Sequence, residues 1–132
     1  MTNVETGILY FFLIFGTAEV VTNLYHLTRG SREKVWDSAR KQHQELPADL
    51  KAGHYVFKAA VMLVLGIIFL GVGILMLIGA RFSPFLALAA MIMFGTHGLI
   101  QAIAYKKYWR VWAAAAVYNL PLIIYLVGSA GK

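Results

Sequence analysis

No cysteine occurs in the chain, which excludes disulfides, thiolate metal sites and thiol nucleophiles. Charge is scarce as well. Asp, Glu, Lys and Arg together make up 14% of the residues, and only six of these are acidic against 12 basic. Proline appears three times, at Pro47, Pro84 and Pro121, so long stretches carry no helix breaker. There is no HExxH pair, no phosphate-binding glycine motif and no serine in a nucleophile pattern, which removes the motif-defined hydrolases and nucleotide binders. No internal repeat or low-complexity tract is present.

What is abundant is apolar surface. Hydrophobic residues account for 60% of the 132 positions, and the mean hydropathy is +0.68. One soluble domain of this length keeps too much surface to hide that content, so lipid is the natural solvent. A bilayer core about 30 Å thick needs roughly 20 apolar residues as helix. Four stretches meet the requirement, at about 7–28, 55–80, 83–104 and 109–128. The first has no basic segment before it and no small-residue cleavage site after it, so it reads as a retained helix. Short turns at 81–84 and 105–108 make helices two, three and four tight neighbours. The expected fold is an all-α membrane protein: a single domain over 1–132, four transmembrane helices in an antiparallel bundle, and a polar connector at 29–54.

Charge placement orients it. Arg29, Arg32, Lys34, Arg40, Lys41, Lys51 and Lys58 flank the connector, and Lys106, Lys107 and Arg110 fill the last turn. Only Arg81 and Lys132 of the 12 lie on the other side. The positive-inside rule then puts both basic loops in the cytoplasm and both termini outside, in a membrane of the cytoplasmic (inner) type. Trp36, Trp109 and Trp112 fall at the same interface, where indole rings settle. The lipid bilayer is the expected partner, and the scattered basic residues do not make a nucleic-acid patch.

The connector holds six basic and four acidic residues, nearly balanced. Val35, Trp36 and Ala39 offer a short apolar edge for an interfacial helix that Pro47 would end or bend. It reads as a solvated helical connector. In helix two, Ala59, Gly66, Gly73 and Ala80 recur every seven residues and let another backbone approach. The same small residues leave a homo-oligomer or a larger membrane complex open.

Polar residues inside the apolar spans are the functional signal. Glu19, Asn23 and His26 share one face of helix one; His97 and Gln101 share one face of helix three, with Tyr105 beyond. Glu19 and His97 lie roughly 13 and 12 Å from the cytoplasmic ends of their helices. Asn23 then matches Gln101, His26 comes near Tyr105, and helices one and three face each other through these levels. Asn119 falls at the same depth, and Lys58 and His54 sit near the mouth. His26, His43 and His54 lie close enough to water to read as ordinary interfacial residues. A carboxylate at the depth of Glu19 needs a partner or a proton.

The ladder therefore outlines a cytoplasm-facing pocket of Glu19, Asn23, His26, Lys58, His97, Gln101, Tyr105 and Asn119. It would bind a small ligand or relay protons. Two rival readings are an accessory subunit of a larger complex, glued by the ladder, and a membrane enzyme with Glu19 and His97 as acid and base. No metal is expected: His26 lies roughly 9 Å nearer the surface than His97, too far for one haem iron. No cofactor is named by the sequence.

Overall fold

The computed structural model describes residues 2–28, 30–81 and 83–130, apart from the side chain of Arg32. Arg29 and Lys132, counted in the charge asymmetry, lie outside the described residues. Among the described residues there are five helices and no strand: α1 (Asn3–Leu27), α2 (Arg32–Gln42), α3 (Ala52–Leu77), α4 (Ser83–Ala104) and α5 (Trp109–Ala130). Four of them, all but α2, are long and apolar enough to cross a membrane, which points to a membrane protein. Ile14, Phe57, Phe85 and Val127 are each 69% to 71% exposed, a surface that suits hydrocarbon rather than water.

Local chemistry sets the helix ends. Thr2 and Glu5 form a reciprocal capping box that starts α1, with both bonds at 3.2 Å. Ser31 caps α2 by accepting from the Lys34 N–H at 3.3 Å. After α3 the chain turns through Gly79 at φ +72, with the Ala80 N–H on the Leu75 carbonyl and the Gly79 N–H on that of Met76. That pair of bonds is a Schellman stop, and it places α3's end a few residues before the expected position. Pro84 lies in the first turn of α4, where its missing N–H costs nothing. Pro121 lies inside α5 without ending it.

Glycine decides which helices touch. A Cβ on Gly16 would stand 2.6 Å from the Leu70 N, and one on Gly66 3.1 Å from the Val20 N. Backbone therefore meets backbone along α1 and α3, the most extensive contact in the molecule, with Gly73 against Leu13 and Phe12. Thus Gly66 and Gly73 of the seven-residue series pack within the chain, while Ala80 falls beyond the end of α3. On α4, Gly98 likewise admits Ala115 of α5.

This differs from the pairing expected from matched depths. Neither α1 nor α4 has the other as a backbone neighbour: α1 lies on α3, and α4 on α5. They meet only through side chains across the interior, as where Phe15 and Phe94 approach to 5.2 Å. Phe12, Phe69, Phe94 and Met91 are all but inaccessible and fill this part of the core.

A second apolar cluster corrects the reading of the connector. Ala39 and Leu46 are buried together with Tyr55, Ala59, Ala102, Val111 and Ala115. The Tyr55 hydroxyl donates to the Pro47 carbonyl and accepts from the Leu50 N–H at 3.3 Å. One face of the connector is thus packed onto α3, α4 and α5, while its charged residues such as Asp37, Arg40 and Lys41 stay exposed. Its buried contacts are few and widely spaced, so no periodic apolar pattern announces them.

Candidate functional site

The packed connector delivers two side chains into the polar ladder. Starting from α1, the Asn23 amide donates to Glu19 Oε2 at 2.6 Å and to the Glu19 carbonyl at 2.7 Å. That leaves Asn23 Oδ1 facing His43 Nε2, 3.1 Å away. His43 Nδ1 then stands 3.8 Å from Glu45 Oε1. The same Glu45 oxygen pairs with Lys58 Nζ at 3.4 Å and accepts from the Tyr118 hydroxyl at 3.2 Å. Lys58 finally reaches His97 Nε2 at 2.7 Å and the Tyr118 hydroxyl at 3.3 Å. Asn23 and Lys58 are 0% and 3% exposed, whereas the Glu45 side chain keeps 18% exposure, so the network is buried except at Glu45.

Donor and acceptor counts assign the protons. An ammonium has three N–H groups and no lone pair, and Lys58 has three acceptors: Glu45, His97 and Tyr118. His97 Nε2 is therefore an acceptor, and its ring proton sits on Nδ1. On the other ring, the Asn23 amide group is spent on Glu19, so His43 Nε2–H donates to Asn23 Oδ1. His43 Nδ1 then turns a lone pair toward a carboxylate oxygen. Burial holds the His43 ring neutral and lowers its pKa to about 4, with Glu45 opposing and Lys58 and His26 assisting. The tyrosine ring also packs on the ammonium, with Lys58 Nζ 4.8 Å from the Tyr118 centroid.

Of the sequence-predicted residues, Glu19, Asn23, Lys58 and His97 belong to this network. Glu19 and His97 do not bond each other: each has its own partner, and the connector lies between. His26 stands close enough to influence the His43 ring. Asn119 donates to the Gly95 and Ala115 carbonyls, at 3.3 and 2.7 Å, and so ties α5 to α4. The Tyr105 hydroxyl pairs with His54 Nδ1 at 2.7 Å instead of meeting His26 as expected, and burial raises its pKa. Gln101 is buried, and its Nε2 has no hydrogen-bond partner among the described residues.

Three members were not picked out from the sequence: His43, Glu45 and Tyr118. Tyr118 follows Val111 and Ala115 at helical spacing on the buried face of α5. For His43 and Glu45 the signal was slight, an apolar Leu46–Pro47 pair directly after them. Among the described residues, no three His, Asp or Glu side chains are placed to hold a metal ion. The chain matches no protein-family model, no curated protein and no solved structure.

Proposed function

We propose that this chain is an integral protein of a cytoplasmic-type membrane, and that its buried cluster relays protons between the connector and His97. In this reading the four long helices form an antiparallel bundle with both termini outside, following the basic residues at one end. The single observation that carries the relay is the pair of facing acceptors, His43 Nδ1 and Glu45 Oε1, at 3.8 Å. Two lone pairs turned toward each other at the edge of the buried network form a slot for one proton.

The step balances without a co-reactant. A proton entering the slot protonates Glu45; Lys58 passes one of its own protons to His97 Nε2 and regains one from Glu45. His97, now doubly protonated, releases its Nδ1 proton; the ring then carries its one proton on Nε2, and tautomerisation back to Nδ1–H restores the starting state. Asn23 has no titratable proton, so Glu19 ends the chain as a fixed acceptor that orients Asn23. Each neighbouring pair lies within 3.8 Å, which favours protons over a ligand lodged between them. The aromatic core of Phe12, Phe69 and Phe94 closes the other half, so the relay serves His97 rather than conduction across the bilayer.

An accessory role is the second reading. The same bonds tie the connector to α1, α3, α4 and α5, and a purely architectural clamp needs no proton movement. An enzyme using Glu19 and His97 as acid and base is less favoured, because neither side chain faces the other. Nitrogen-15 spectra of labelled histidine test the relay. It predicts His97 as the Nδ1–H tautomer and neutral His43 as the Nε2–H tautomer; the opposite pair of tautomers would remove the slot and the relay with it.

A further inference from the structure

The end of the molecule where the connector meets α5 holds a cavity of about 540 Å³. Among the side chains lining it are Arg40, Lys41, Glu45, Tyr108, Trp109 and Arg110. Three of its charges are already answered: Lys41 pairs with Asp37, which also lines the cavity, at 3.2 Å, and Glu45 with Lys58 at 3.4 Å. Arg40 and Arg110 make no ion pair among the described residues. The cavity therefore presents two uncompensated guanidinium groups, the side chain best suited to bidentate phosphate binding.

An apolar path leads away from it. A groove of about 340 Å³ shares Glu45, Trp109 and Arg110 with the cavity and runs along Ala113, Ala114 and Val117. Val117 in turn borders a cleft of about 590 Å³ between α1 and α5, floored by Phe15, Phe94 and Pro121. The cleft exists because α1 packs on α3 and α5 on α4, and it narrows again where Val4 presses on Gly128. From Arg110 the path passes Val117 about 10 Å along α5 and reaches Ile124 at about 21 Å. A leaflet of hydrocarbon is only about half of 30 Å deep, so the path has room for a whole acyl chain.

We infer that this continuous head-and-tail path is a binding site for an anionic phospholipid drawn from the adjacent leaflet, its phosphate held by Arg40 and Arg110 and one acyl chain laid along α5 into the α1–α5 cleft. The order of features is that of the lipid itself: two arginines on one cavity, interfacial Trp109 and Tyr108, then apolar wall. Ordinary lipid contact around a membrane protein needs no such pairing of a cationic cavity with a chain-length trench. The inference requires only that the chain crosses a membrane; the path borders Glu45 of the proposed relay but does not depend on proton movement.

The test uses the full chain, delipidated in detergent, with native mass spectrometry and thermal unfolding as readouts. The probes are dioleoyl phosphatidylglycerol, dioleoyl phosphatidylcholine and soluble glycerol 3-phosphate. Phosphatidylglycerol should be retained at one copy and raise the melting temperature, and the phosphatidylcholine of the same chains should do neither. The doubly substituted Arg40→Gln, Arg110→Gln protein should lose that preference, while Arg40→Lys, Arg110→Lys keeps part of it and controls for folding. Ala114→Trp, which blocks the groove and leaves both arginines, should also lose the lipid. Equal retention of the two lipids, full binding by the glutamine variant, or equal binding of glycerol 3-phosphate would each overturn the site.

Discussion

His43 is buried among groups of both signs, and pH acts on it directly. Glu45 from the connector, Lys58 from α3, His26 and Asn23 from α1 all bear on its ring. The docked imidazole has a pKa of about 4, against an ordinary value of 6.5. A released connector therefore binds the proton between those two values while the docked one does not. Docking is at full strength above pH 6.5, weakens as pH falls through the window, and is weakest below about 4. The amide protection factors across residues 38–46, corrected for the intrinsic pH dependence of exchange, should fall from pH 7 to pH 4 in the native protein and stay flatter in His43→Gln. An equal fall in both would show that His43 is not the group responsible.

At the level of the helices, close approach of α1 to α3 rests on bare backbone. Gly16→Ala places a methyl 2.6 Å from the Leu70 N, which backbone cannot evade without separating the helices. Overpacking of this kind costs about 1–3 kcal/mol. Gly71 on the same helix as Leu70 has nothing within 4 Å of its would-be Cβ, so Gly71→Ala should be neutral or stabilise by up to about 1 kcal/mol. Unfolding in mild detergent compares the two, and similar effects from both would contradict the glycine contact. The seven-residue spacing of Gly66 and Gly73 was legible in the sequence because it follows helical geometry. The partner helix was not legible: depth along the membrane normal is one coordinate, and it cannot tell a neighbour from a diagonal. That is why Glu19 and His97 read as facing each other although His43, Glu45 and Lys58 stand between them. The connector's burial was hidden for another reason, since Ala39, Leu46 and Pro47 are too sparse to form a pattern amid balanced charge.

For the whole molecule, four long apolar helices with their exposed aliphatic side chains were visible in composition alone, as was the gathering of basic residues between them. The proposed orientation carries its own expectation. A reporter fused after residue 132 should be active only on the non-cytoplasmic side, and cytoplasmic activity would invert the bundle. In the proposed orientation the proposed relay would lie in the cytoplasmic half, beneath the connector. Its most direct test is solvent exchange of the His97 ring proton, followed by nitrogen-15 spectroscopy in the native chain and in Glu45→Gln. If Glu45 and Lys58 carry protons to His97, exchange should slow by about tenfold or more in the variant while the His97 tautomer is retained; an unchanged exchange rate with the fold intact would contradict the relay.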